Sequence, residues 1–125
     1  LSQILLDTHA LVWLESDHPR AKKLKRAAAP FAISPATLLE VQLLLEHGRI
    51  RLKSSTTLED LADDERWKVD EPPARAWFEA ARPLTWTRDP FDRIIVAHAL
   101  YRGWRLATAD STVLEHLDPR RVLEL

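Results

Sequence analysis

Apolar residues in this chain gather in short runs, and helix-forming sequence separates each run from the next. Residues 3–6, 31–33, 67–69, 105–109 and 122–124 read as strands of three to five residues, too short for a meander and without hairpin turns between them. Runs with so little alternation suit strands covered on both faces. Strands that alternate with helices in sequence predict an α/β fold around a parallel sheet. In such sheets ligands bind at the carboxyl ends of the strands.

The helices have readable limits. One is expected from Thr8 to Leu14, ended before His18-Pro19, and residues 20–29 have helix-forming composition. Ser34 suits an N-cap with Pro35 at the first helical position; that helix should run to about His47 and stop at Gly48. Ile50-Arg51-Leu52 reads as extended. Residues 57–66 read as a helix capped by Thr56 or Thr57, residues 74–81 as one opened by Pro72-Pro73, and residues 112–116 as a short one. Asp89-Pro90 opens another, ending near Gly103.

With 125 residues and no internal repeat or linker, a single domain over residues 1–125 is expected. The formal net charge of -1 does not advertise a polyanionic partner, so any such affinity must rest on local patches. Two are visible: the run Arg20, Lys22, Lys23, Lys25, Arg26, and the alternating Arg49, Arg51, Lys53; a solvated face is the plainer reading of each. No cysteine is present, which removes thiolate metal sites and cysteine nucleophiles and suits a reducing cytoplasm. The apolar runs are too short to span a bilayer, and Asp7 and His9 interrupt the first one, unlike a secretory leader. A cytoplasmic protein without membrane contact is expected.

Acidic residues stand where the apolar runs end or helices begin. Asp7 follows Ile4-Leu5-Leu6, and Asp110 follows Leu106-Ala107-Thr108-Ala109. Glu40 lies among Leu38, Leu39, Val41 and Leu43, and Asp92 stands just ahead of Ile94-Ile95-Val96-Ala97. Asp7 and Asp110 also suit helix N-caps, and Glu40 also suits a structural ion pair. Asp89 falls at an N-cap and Asp92 at the third helical position, where a carboxylate can reach back to the cap amide. Of these two, Asp92 is the better ligand candidate. Carboxylates converging at one sheet edge repel one another and raise some of their pKa values. Mg²⁺ or Mn²⁺ would relieve that repulsion through oxygen ligands. Two such ions ~4 Å apart can activate water and stabilise the leaving oxygen of a phosphodiester.

Leu5-Leu6-Asp7-Thr8-His9-Ala10-Leu11-Val12-Trp13, with Ser34-Pro35 and Leu38-Leu39-Glu40-Val41, resembles the opening of a PIN domain. Arg88-Asp89-Pro90-Phe91-Asp92-Arg93-Ile94-Ile95-Val96-Ala97-His98-Ala99 and Leu106-Ala107-Thr108-Ala109-Asp110 resemble its second half, nearest to VapC-type toxins of prokaryotic toxin–antitoxin pairs. The resemblance implies a three-layer α/β/α fold with a central parallel sheet and a metal-dependent endoribonuclease. It implies that Asp7, Glu40, Asp92 and Asp110 surround one or two Mg²⁺ or Mn²⁺ ions, with Asp89 in an outer position. It implies that Thr8, Ser34 and Thr108 contact waters or phosphate, although Ser34 also suits a plain cap, and that Arg88 and Arg93 flank the site. Arg93 equally suits a structural pairing with a carboxylate. A homodimer silenced by a cognate antitoxin protein is implied as well. The alternatives are a PIN module that binds RNA or antitoxin without catalysis, and a housekeeping RNA-processing nuclease. A dehalogenase-type phosphatase would need a second aspartate two positions after Asp7, where His9 stands. His9, directly after Asp7, also suits an approach to the site but is expected on a helix surface, and His98 is expected as a satisfied core imidazole. Trp13, Trp77, Trp86 and Trp104 are expected as core or dimer contacts. Residues 67–83 carry no pattern that assigns them a role.

Overall fold

The computed structural model describes residues 3–27, 30–53 and 56–125. The chain runs β1 (Ile4–Leu6), α1 (Thr8–Glu15), a 3-10 turn (Pro19–Ala21), α2 (Lys22–Arg26), β2 (Phe31–Ile33), α3 (Pro35–Glu46) and α4 (Leu58–Ala62). It continues through β3 (Trp67–Val69), α5 (Ala74–Ala81), α6 (Pro90–Arg102), β4 (Arg105–Thr108), α7 (Ser111–His116), a second 3-10 turn (Pro119–Arg121) and β5 (Val122–Glu124). The five strands are all parallel, in the order β3-β2-β1-β4-β5. The chain moves outward from β1 to β2 and β3, then returns to place β4 on the other side of β1. The order therefore reverses between β1 and β4, and a crevice opens there at the carboxyl edge.

Alternate strand residues feed two apolar layers. Ile4, Leu6, Phe31, Ile33 and Ala107 pack with Ala10, Leu11 and Leu14 of α1, Leu24 of α2, Val41 of α3 and Leu61 of α4. Leu5, Ala32 and Leu106 face the other way, onto Ile95, Val96 and Ala99 of α6 and Val113 of α7. This is the three-layer α/β/α arrangement. Full burial of a side chain such as Leu5 or Leu6 contributes about 1.5–3 kcal/mol. Helix α5 reaches the core through α6, with Trp77 and Ala81 against Ala97, and the Trp77 indole N–H donates to the Ile94 carbonyl at 2.8 Å.

Three expected elements differ. The helix over residues 57–66 stops at Ala62: Thr57 and Asp60 form a reciprocal capping box at its start, but acidic residues crowd its end. Carboxylates are unfavourable at a helix C-terminus, and Asp64 instead accepts the Arg66 backbone N–H at 2.8 Å and its Nε at 3.0 Å in a tight turn. The segment 20–29 is a 3-10 turn followed by a short helix ending at Arg26, where Lys22, Lys23, Lys25 and Arg26 repel, and its residues 28–29 lie outside the described residues. Ile50 and Leu52 pack against the first layer without joining a strand.

His98 is fully buried on α6. Its Nε2 lies 2.7 Å from Asp70 Oδ2. Arg102 donates to the same carboxylate from Nε at 2.9 Å and from Nη2 at 3.2 Å, which ties the chain just past β3 to α6. The other ring nitrogen, Nδ1, has no partner among the described residues, so the imidazole is only half satisfied. Burial holds it below its ordinary pKa.

Candidate active site

The crevice between β1 and β4 is where the acidic residues meet. The Asp7 amide continues the β1–β4 ladder by donating to the Ala107 carbonyl at 3.1 Å. The Asp7 side chain then caps α1, with Oδ1 accepting from the Ala10 amide at 2.8 Å. Asp110 does the same one strand away, accepting from Val113 at 3.0 Å to cap α7. Ser34 caps α3, and Asp89 caps α6. Four helix N-termini thus face one sheet edge. Their unpaired amides and aligned dipoles favour negative charge there.

Asp89 uses a single oxygen for its cap: Oδ1 accepts from Phe91 at 2.8 Å and from Asp92 at 3.1 Å. Asp92 makes no reciprocal capping bond; among the described residues no donor reaches its carboxylate. Glu40 enters from α3 and accepts a short hydrogen bond from the Thr8 hydroxyl. Carboxylate oxygens of Glu40, Asp89 and Asp92 all lie within 4.8 Å of one another. Asp7 and Asp110 line the same cleft, of about 370 Å³, outside that tight group. Asp89, expected in an outer position, has its carboxylate grouped with those of Glu40 and Asp92.

The electrostatic cost of this grouping is visible in the carboxyl groups. Asp92 is pushed up to about 7 by burial first, and then by the charges of Asp89, Asp110, Glu40 and Asp7. Asp7 is pushed up to about 6 by burial, against hydrogen bonding from Thr108 and the Ala10 amide. Glu40 is raised by burial and by Asp89, against its bond from Thr8. Like charges this close favour protonation or a cation. The donor set is all oxygen, from three carboxylates with no lysine or arginine paired to them, which fits a hard divalent cation.

The hydroxyls divide. Thr8 lines the cleft. Ser34 and Thr108 are fully buried and act inside the protein: Ser34 accepts from the Ala36 amide at 3.1 Å, and Thr108 accepts from the Asp110 amide at 3.0 Å beside Asp7. Neither Arg88 nor Arg93 lines the cleft; Arg93 donates to the Thr87 carbonyl at 2.8 Å. The rest of the cleft lining is His9, Trp13, Arg20, Leu44, Arg49 and Ala109; sequence reasoning offered His9 as a neighbour of the site and Arg20 and Arg49 only as members of basic runs, and missed Trp13 and Leu44. A signal existed for part of it. His9 and Trp13 are four residues apart on α1 and so share a face, with ring centroids 5.9 Å apart. Arg20 was legible only as a member of a basic run, because the 3-10 turn after α1 is what brings it back over the Trp13 ring, 4.7 Å from its centroid.

Known proteins share this fold. The PIN domain family profile matches residues 4–118. Ribonuclease VapC22 of Mycobacterium tuberculosis is 32% identical over 128 residues, covering 98% of both chains. A toxin–antitoxin complex from Klebsiella pneumoniae contains a chain that superposes with a TM-score of 0.70 at 22% identity, covering 98% of this chain and 100% of that one. VapC20 of Mycobacterium tuberculosis, described as a toxin cleaving the sarcin-ricin loop, superposes with a TM-score of 0.68 at 18% identity, covering 95% and 99%.

Proposed function

This chain belongs to the PIN domain family, and from that membership we propose that it is a metal-dependent endoribonuclease, the toxin of a VapBC-type toxin–antitoxin pair. The observation that carries the metal dependence is the convergence of Glu40, Asp89 and Asp92 oxygens within 4.8 Å in the crevice between β1 and β4. These three carboxylates would hold a Mg²⁺ or Mn²⁺ ion, with Asp7 and Asp110 completing the acidic lining; a second ion would find its oxygens between those two groups. When bound, such an ion supplies a positive field that lowers the pKa of water and offsets charge on a phosphodiester oxygen.

The protein's own groups prepare the site for this. Thr8 fixes Glu40 by its hydroxyl bond, and the Ala10 amide fixes Asp7, so neither carboxylate must be reoriented when a ligand arrives. Thr108 holds the Asp110 backbone beside Asp7. Cation binding must displace the proton from Asp92, so affinity rises with pH through the range in which Asp92 titrates.

Two partners follow from the reading. RNA is the substrate, and a cognate antitoxin protein is the inhibitor that would cover the cleft. The toxin itself would form a homodimer through an apolar groove formed by Ala36 and Leu39 of α3, Trp77 and Phe78 of α5, and Phe91 and Ile94 of α6. Leu39 and Phe78 there are 57% and 52% exposed. No helix among the described residues is long and apolar enough to cross a membrane, and a cytoplasmic site of action suits the proposed substrate.

Cleavage of a structured and a single-stranded RNA, with Mg²⁺, with Mn²⁺ and with chelator, tests the reading. Cutting should require the metal and disappear in Asp7→Asn and Asp92→Asn, both of which should remain folded. Full cleavage by either variant would remove that residue from the catalytic set, and metal-independent cutting would end the proposal. A folded wild-type protein that cuts neither RNA would favour a binding module without catalysis.

A further inference from the structure

Among the described residues lining the acidic cleft, only Arg20 and Arg49 carry a permanent positive charge. Neither forms an ion pair with the carboxylates beside it. Arg20 is held by other means: its Nη2 donates to the Leu125 carbonyl at 3.0 Å, and its guanidinium lies over the Trp13 ring. One guanidinium donor is spent on that carbonyl and the rest of the fork is left for a ligand. Arg49 follows Gly48, whose left-handed backbone (φ 66°) ends α3 and returns the Arg49 amide to the Leu44 carbonyl at 2.9 Å. That turn carries Arg49 back to the mouth of the cleft. Both arginines belong to the layer of α1, α2 and α3. Asp89, Asp92 and Asp110, at the starts of α6 and α7, supply only acid to the opposite layer's side.

We propose that Arg20 and Arg49 bind the RNA backbone on one flank of the scissile phosphate, the flank that passes over α1 and α3. The inference rests on the nuclease reading. A ligand suited to this cleft must carry an anion at the carboxylate-held cation and further anions at a fixed spacing on one side. A phosphodiester strand has that pattern. Phosphate contacts position a strand without reading its sequence, so the arginines set where the backbone lies and how many nucleotides the enzyme needs on that flank. Their roles differ chemically. Arg20 acts as a stacked, forked donor, for which lysine is no substitute, whereas Arg49 acts as a point charge.

The test uses the full chain, with fluorescein-labelled single-stranded RNA oligomers extended on either side of a mapped cut. Arg20→Gln, which retains a donor for the Leu125 carbonyl, and Arg49→Ala should each raise KM about 10-fold and leave kcat within about 3-fold. The increase should appear with oligomers extended on one side of the cut and vanish with those extended only on the other. In Asp7→Asn protein, which binds without cutting, each arginine change should reduce the slope of log affinity against log salt by about 0.7. Arg49→Lys should restore most of the affinity, and Arg20→Lys should not. Lys68→Ala, on the exposed side of β3, should change nothing. Unchanged KM and salt slope in both arginine variants would overturn the proposal, as would a fall in kcat at constant KM. Variants that bind RNA normally yet lose affinity for poly-glutamate would overturn it in favour of a contact with an acidic protein segment. If the wild type cuts nothing but its RNA affinity depends on both arginines, the nuclease reading fails and the backbone site stands.

Discussion

Asp89 gives Oδ1 to the amides of Phe91 and Asp92, while Oδ2 has no donor among the described residues. Asn at this position keeps the cap and removes the charge. Asp89→Asn should therefore melt within about 0.5 kcal/mol of the wild type and weaken Mn²⁺ binding about tenfold by calorimetry. Asp89→Ala should also lose about 1 kcal/mol of stability. Equal metal affinity in Asp89→Asn would place the residue outside the cation's shell. Asp92 bears on stability in a different way. Its carboxyl titrates at about 7 when folded and at 3.8 otherwise, so the folded state holds that proton more tightly. The resulting stabilisation is complete below 3.8 and is lost as pH rises through about 7. Metal-free Asp92→Asn should consequently exceed the wild type in stability at pH 8 by about 1–2 kcal/mol and match it near pH 4. No gain at pH 8 would mean that neither burial nor the neighbouring charges disfavour the ionised Asp92 carboxylate. At this scale immediate neighbours in the sequence anticipated the helix caps at Asp7, Asp89 and Asp110 but not the lack of a reciprocal capping bond at Asp92. The sequence could not show that Asp89 comes within 4.8 Å of Glu40 and Asp92, because that depends on how α3 and α6 pack together.

Segments with both a start and a stop signal were legible as elements. Helices α3 and α6 each have a capping side chain, Pro at the first position and a glycine in the left-handed conformation just past the end. A Cβ at Gly103 would meet nothing within 4 Å, so only its φ of 71° resists substitution. Gly103→Ala should cost about 1 kcal/mol in denaturant titrations and leave RNA cleavage unchanged. A loss of activity would show that the end of α6 is coupled to its start. Helix α4 was misread in length because residues 63–66 look helix-compatible by propensity. Asp64 competes there through a local bond to the Arg66 amide. The polar link from Asp70 to His98 and Arg102 was invisible for another reason: it joins a loop to a helix across the fold.

For the whole molecule, strand–helix alternation was sufficient to anticipate an α/β fold around a parallel sheet, whereas the three-layer arrangement was implied by the resemblance to PIN domains. The part of the cleft wall built by Arg20 and Arg49 was not legible as such, since it depends on a 3-10 turn and a helix end meeting over the sheet edge. The apolar groove around Leu39 and Phe78 leads to a prediction at this scale. Phe78→Glu should convert the protein from dimer to monomer in light scattering with little change in melting temperature. A wild type that is monomeric at high concentration would leave that groove to another partner. The pairing of Leu5 with Leu106 sets the order of events in folding. Roughly a hundred residues separate these partners in sequence, and contacts so distant close slowly. Asp7 and Asp110 become neighbours only when that pairing forms. A chain still emerging from the ribosome thus holds its first acids without the last, and the full acidic lining of the cleft is assembled only after β4 and the turn into α7 have been made.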